Sequence, residues 1–187
     1  MLFDGHTSLE EVFRRVKQEL IEGAQSPNHP FRFFPLSTHG SESRYVVLRE
    51  FTDDLTFYFF TDSRSSKVGQ MMSKPQVSLL FYHPEMRVQI RVKGRAQVHH
   101  QDDTTALFWQ GIQGEARKAY GPLVHPGHRI DHPSDAHTWP KSIDDRFFTV
   151  VEVVADKLDV MQLDGFTHIR AGFERKGADW ELQWLAP

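Results

Sequence analysis

Residues 86–98, MRVQIRVKGRAQV, alternate without a break. Met86, Val88, Ile90, Val92, Gly94, Ala96 and Val98 fall on one side, and Arg87, Gln89, Arg91, Lys93, Arg95 and Gln97 on the other. A period of two is that of a β-strand with one face in a core and the other in water. The charged side reads either as the solvated face of an edge strand, where charge discourages pairing with other chains, or as a cationic wall that meets an anionic ligand.

Short Val- and Phe-rich runs at 31–37, 44–50, 55–61 and 76–83 precede this strand. Turn residues separate them: His39-Gly40-Ser41, Thr52-Asp53-Asp54 and His83-Pro84-Glu85. Three more strands are expected at 147–161, 167–175 and 179–185. A first helix opens on a Thr7/Glu10 capping box, carries Leu9, Val12, Phe13, Val16 and Leu20 on one face, and stops at Gly23 and Pro27. A second spans 64–74 and ends at Pro75; a third spans 103–120, with Ala106, Phe108, Trp109, Ile112, Ala116 and Tyr120 as its stripe. Residues 121–142 hold four prolines and four histidines and read as a long irregular loop, of the kind that in compact domains is functional or mobile. The pattern is that of one α+β domain over 1–187, built on an antiparallel barrel or strongly bent sheet.

Composition excludes much. The 187 residues contain no cysteine, so disulfide scaffolds, Cys-based zinc sites, iron–sulfur clusters and thiol nucleophiles are ruled out. A formal charge of −3 argues against a nucleic-acid partner, whose binding footprint is strongly basic. The longest apolar runs, 76–82 and 147–155, are far short of the ~20 residues that span a bilayer, and the first residues lack the pattern of a secretory signal. A cytoplasmic protein with no membrane partner is expected.

Two segments carry candidate chemistry. Thr61-Asp62-Ser63-Arg64-Ser65-Ser66-Lys67 follows a strand and opens a helix, with Ser65 or Ser63 as N-cap. A helix N-terminus binds anions through free N–H groups and its dipole; a lysine is mildly unfavourable there unless an anion is present, which singles out Lys67. Arg44, on the strand 44–50 that should pair with 55–61, would give a phosphate its second cation. Alternation puts Arg44, Val46 and Leu48 on one face, and Tyr45, Val47 and Arg49 on the other.

In order, Arg44-Tyr45-Val46-Val47-Leu48-Arg49, Phe57-Tyr58-Phe59-Phe60-Thr61-Asp62, Ser65-Ser66-Lys67, the run 75–81 and Gln89 five residues before Gly94 resemble the pyridoxamine 5′-phosphate oxidase family. The closing Trp184-Leu185-Ala186-Pro187 is similar to that family's C-terminus, except that Trp184 replaces an arginine. The resemblance implies an antiparallel split β-barrel with a few peripheral helices, a homodimer with interfacial flavin sites, FMN as cofactor and a small-molecule substrate. It implies that Arg44 and Lys67 grip the FMN phosphate with Ser65 and Ser66. Tyr45, Val46, Val47, Phe60 and Thr61 would line the flavin, and Gln89 and Arg170 reach it. Arg49, Arg117 and His168 are the candidates for substrate contact, and His168 and Arg170 should share a face of the strand 167–175.

The departures fall on the substrate side. Ser66 stands where the family has a second cation, for which Arg64 is near enough to compensate; Arg49 replaces a lysine; Val160 or Met161 replaces a tryptophan; Phe166 replaces a substrate arginine. An FMN-dependent oxidoreductase acting on a substrate other than pyridoxamine 5′-phosphate is the expected function. The alternative is a non-catalytic FMN- or haem-binding split-barrel protein. Because flavin carries the redox chemistry itself, no side chain is named as catalytic. His125, His128 and His132, with His99 and His100, are read as solvated and not as a metal site, since Pro126, Gly127 and Pro133 interrupt their spacing.

Overall fold

The computed structural model describes residues 1–187. Nine antiparallel strands form one sheet: β1 (Phe33–Thr38), β2 (Glu42–Val47), β3 (Glu50–Phe51), β4 (Thr56–Asp62), β5 (Gln76–His83), β6 (Val88–His100), β7 (Phe148–Gln162), β8 (Ile169–Lys176) and β9 (Asp179–Leu185). Their order is β2-β1-β5-β6-β7-β4-β3, with β8 branching from β7 and β9 from β8. The branch makes the split barrel. One edge of β7 pairs along its length with β6; the other pairs with β4 over 148–154 and with β8 over 157–162. The barrel stays open, since β2 ends the ladder on one side and β3 on the other.

A bulge between Lys93 and Gly94 bends the long β6–β7 pair. At Gly94 a Cβ would lie 2.4 Å from the Val154 carbonyl oxygen, so only glycine allows the strands to approach this closely there. The alternation of 86–98 holds from Val88 onward, with Val88, Ile90 and Val92 in the core. The edge-strand reading does not hold: β6 is paired on both sides. Its charges instead meet β7, as in Arg91–Asp159 at 2.6 Å.

Phenylalanines fill the interior. Phe81 contacts Phe31, Phe34 and Phe57 with ring centroids 4.8–5.7 Å apart, and each such fully buried ring contributes ~1.5–3 kcal/mol. Helix α1 (Leu9–Gln25) buries Val12, Val16 and Leu20 against this core, and Phe13 stacks on Phe173 at 4.8 Å. Its N-cap is Ser8, whose hydroxyl accepts the Glu11 N–H at 3.2 Å. The Thr7/Glu10 box does not form, because the Thr7 hydroxyl donates to the Asp4 carboxylate. The helix also runs through Gly23, which packs so closely on Phe31 that a Cβ would sit 2.7 Å from the Phe31 Cβ.

Helix α2 is shorter than expected, Ser66–Ser73. Helix α3 stops at Gly111 (Asp103–Gly111), and 114–120 form a separate 3-10 turn, with Gly114 at φ +57°. Tyr120, Phe148 and Val150 form a second small core beneath α3. No helix is long and apolar enough to cross a membrane.

Candidate anion and flavin site

A cleft of ≈ 470 Å³ opens where the free edge of the sheet, β2, faces the entry to α2. Glu42, Ser43 and Arg44 line one wall; Ser65, Ser66 and Lys67 line another; Pro126 and Gly127 close it from far along the chain. Arg44 is held by three elements. Its Nη1 donates to Thr38 Oγ1 at 2.5 Å, and its Nη2 to Glu42 Oε2 at 2.6 Å and Gln70 Oε1 at 3.4 Å. Lys67 Nζ donates to Thr61 Oγ1 at 2.9 Å. Ser65 occupies the N-cap position of α2, but its hydroxyl donates to the Asp62 carbonyl at 2.8 Å. No side chain caps the helix, so its first-turn amides remain available to an anion.

The electrostatics point the same way. Lys67 is held below the ordinary lysine value by burial first and by the Arg44 charge second, with Asp62 acting weakly in the opposite sense. It has no carboxylate within ion-pair distance among the salt bridges of the fold. Two cations on one cleft, one of them half-buried and without a carboxylate partner, are costly unless a negative group binds between them.

The remaining flavin candidates divide into two sets. Thr61 adjoins the cationic cleft, bonded to Lys67 and 3.3 Å from Ser65 Oγ. Tyr45 and Val47 face outward while Val46 enters the core; the expected pairing of 44–50 with 55–61 is confined to Glu50 and Phe51, and β2 pairs only with β1, leaving main-chain groups on its other edge free. Phe60 points away from Thr61 and packs on Phe108 and Phe148. Gln89 and Arg170 lie elsewhere. They flank Met161 in one row across β6, β7 and β8, on the outer sheet face. Two strands, β1 and β5, lie between Arg44 on β2 and the near end of that row on β6. Arg170 is held there by Asp159, with Nε–Oδ1 at 3.0 Å and Nη2–Oδ2 at 2.7 Å. Within one chain, therefore, Arg44, Thr61, Ser65, Ser66 and Lys67 converge, and Gln89 and Arg170 do not join them.

The substrate candidates also separate. Arg49 is exposed, donates to the Tyr120 hydroxyl at 3.2 Å and lies 5.6 Å from the Phe60 ring. It borders a pocket of ≈ 280 Å³ lined by Phe60, Ile112, Ala116, Ala119 and Tyr120. Arg117 does not reach this pocket: its Nε donates to the Ile112 carbonyl at 2.7 Å and its guanidinium covers Trp109. His168 lies outside β8, in the preceding turn, where Nδ1 accepts the Asp164 N–H at 3.2 Å; it does not share a strand face with Arg170. Phe166, at the tip of that turn, is fully exposed.

Arg64 does not compensate for the cation missing at Ser66. It forms a two-pronged ion pair with buried Asp62 and turns away from the cleft. Thr38, Gln70 and Tyr120 were not evident from sequence, because a strand-end threonine, a mid-helix glutamine and a helical-stripe tyrosine carry no signal of their own. The loop histidines bind locally: His125 meets His128 edge-on at 4.9 Å, and His132 Nδ1 bonds Ser134. One further cluster brings three candidate ligand atoms within 4.8 Å, those of Glu19, His29 and His83. In both imidazoles Nδ1 accepts a backbone N–H, from Phe31 at 3.1 Å and Met86 at 3.2 Å. In the neutral rings that leaves the proton on Nε2, which His29 donates to Glu19 at 3.1 Å, and neither Nε2 then has a lone pair for a metal.

The fold and the cleft define a split-barrel protein with a cationic cleft between the free edge of β2 and the start of α2. Residues 11–100 match the family described as pyridoxamine 5′-phosphate oxidase, FMN-binding domain. A pyridoxine/pyridoxamine 5′-phosphate oxidase of Cupriavidus taiwanensis is 28% identical over 96 residues, 51% of this chain and 45% of that protein. One from Legionella pneumophila is 25% identical over 165 residues, 78% of this chain and 72% of the other. The chain thus spans about half the length of the first of these curated relatives. Among solved structures, a pyridoxamine 5′-phosphate oxidase-related, FMN binding protein of Nostoc punctiforme superposes with a TM-score of 0.78 at 23% identity, covering 94% of this chain and 97% of that one. PhzG of Burkholderia lata, solved with tetrahydrophenazine-1-carboxylic acid, gives 0.73 at 20% identity over 100% and 98%. Over residues 11–100 the chain is similar to the pyridoxamine 5′-phosphate oxidase FMN-binding domain, and its fold is that of the two solved split-barrel structures.

Proposed function

We propose that the chain binds FMN, with its phosphate between Arg44 and Lys67, and acts as a flavin-dependent oxidoreductase on a small molecule other than pyridoxamine 5′-phosphate. The observation that carries this reading is Lys67: a half-buried ammonium beside a second cation, without a carboxylate of its own. The donors fit the group. A guanidinium, an ammonium, the Ser66 hydroxyl and an uncapped helix N-terminus suit a phosphate dianion.

Bound flavin supplies two-electron redox chemistry; the chain's residues bind and orient. Arg44, Lys67 and α2 hold the phosphate end, and the free edge of β2 offers main-chain groups alongside. Gln89 and Arg170 lie on the sheet's outer face, remote from Arg44, and a second copy of the chain would bring them to the flavin. Exposed Phe33, Tyr45 and Tyr82, with Leu80, form an apolar patch on that same outer face, which suits a homodimer.

The pocket at Arg49 and Tyr120 suits the acidic group of the substrate. Its remaining walls are apolar, and Arg49 is its single cation. A phosphate ester would call for a second cation, and Arg117 is committed to Ile112 and Trp109. A carboxylate on an apolar body fits better, and the PhzG relative was solved with a carboxylic acid.

Titration of the protein with FMN and with riboflavin, followed by reduction with NADH and NADPH, tests the reading. It requires tight FMN binding, weaker riboflavin binding, and bleaching of the flavin band by a donor. A protein with no affinity for FMN would overturn it.

A further inference from the structure

The wall of the cleft formed by Pro126 and Gly127 belongs to a loop with its own fastenings. Leu123 N–H donates to the Thr138 carbonyl at 2.9 Å, closing residues 123–138 into an Ω-shaped loop. Trp139 Nε1 donates to the Lys118 carbonyl at 2.9 Å, and Lys118 Nζ lies 5.6 Å from the Trp139 ring. The tip is a tight turn, His125-Pro126-Gly127-His128, with His128 N–H on the His125 carbonyl at 3.2 Å and Gly127 at φ +83°. Proline second and a left-handed glycine third are the residues such a turn requires.

One side chain ties this loop to the anion site. Arg64 donates through Nη2 to the Pro122 carbonyl at 2.8 Å and through Nη1 to the Leu123 carbonyl at 3.2 Å. Its guanidinium lies over Phe147, with the carbon 3.5 Å from the ring centroid, and Asp62 fixes its other edge. Arg64 thus sits between Thr61 and Lys67, which face the cleft, while its own head points away to grip the loop. The segment that receives the anion is also the segment that positions the loop.

Building on the FMN reading, we propose that residues 121–140 are a strap across the phosphate end of the cleft. Arg64 is its latch and a positioning residue, and the strap sets how fast a phosphate-bearing ligand leaves. Gly127 presents no side chain to the cleft, so the tip can approach a bound phosphate closely. The strap offers nothing specific to a ligand that lacks the phosphate.

Two measurements on the full chain test this. The first is the FMN dissociation rate for wild type, Arg64→Ala and Gly127→Ala. Both variants are expected to release FMN roughly tenfold faster with little change in association rate, and to leave riboflavin affinity unchanged. The glycine variant keeps the test valid if Arg64→Ala fails to fold. FMN release unchanged in Gly127→Ala, or riboflavin weakened equally, would overturn the strap. The second is tryptic cleavage after exposed Arg129, with FMN, riboflavin or inorganic phosphate present. FMN and phosphate should slow cleavage and riboflavin should not. Failure of wild type to bind FMN would count against the proposed function, whereas protection by inorganic phosphate would still support the strap. Protection by neither would sink it.

Discussion

Lys67 and Arg44 face one cleft from different elements, a helix N-terminus and an edge strand, and the two charges repel. A fold tolerates such a pair when a ligand uses it. Lys67→Met should therefore stabilise the ligand-free protein, by about 1 kcal/mol, while weakening FMN. Chemical denaturation with and without FMN checks both halves; a destabilised ligand-free variant would mean that Lys67 serves the fold through Thr61.

The bend of the barrel rests on Gly94. Gly94→Ala places a methyl group against the Val154 carbonyl and should cost about 3 kcal/mol. A change in thermal midpoint of a degree or less would show that β6 and β7 slide apart easily, contrary to the geometry.

Much of this was legible in the sequence, and the reasons differ by element. The bounds of Gln76–His83 and of Asp179–Leu185, the hairpin partner of β8, are legible to the residue, because period-two patterning and flanking turns agree there. That Arg44 and Lys67 line one cleft is foreshadowed by Lys67, because a lysine in a first helical turn breaks a local preference. Helix α3 was overextended, since the stripe from Ala106 to Tyr120 survives the break at Gly111 by continuing as a 3-10 turn. The role of Arg64 was not legible. Its partners are carbonyls of Pro122 and Leu123, 58 and 59 residues away, and carbonyls have no sequence signature.

The Glu19–His29–His83 cluster gives a pH signature. Burial holds the His83 imidazole below its ordinary value of 6.5, with Glu19 raising it, His29 lowering it, Glu85 raising it and the N-terminal amine lowering it. A histidine whose pKa is lowered by folding adds stability that is complete above the unfolded value and is lost as pH falls through the folded one. Wild type should thus weaken progressively below pH 6.5. His83→Asn keeps an acceptor for the Met86 N–H, should cost about 1 kcal/mol at neutral pH, and should flatten the acid limb. Denaturation midpoints across this range decide it; parallel curves for the two proteins would remove His83 as the cause.

If a second copy completes the flavin site, the outer sheet face must be its interface. Tyr45→Glu puts a charge on a residue that is 72% exposed in the single chain, so the monomer fold should survive unchanged. Sedimentation should show dimer loss, and FMN affinity should fall with it. A variant that is monomeric yet binds FMN as wild type does would separate the flavin site from the interface.

The most direct test is the ratio of FMN to riboflavin affinity in wild type and in the Arg44→Ala/Lys67→Ala double variant. Each charge-assisted contact to the phosphate is worth ~1.5–3 kcal/mol. The double variant should therefore lose about a hundredfold or more in FMN affinity, while riboflavin binding stays within a fewfold of wild type. An equal loss for both ligands would contradict the assignment of this cleft to the phosphate.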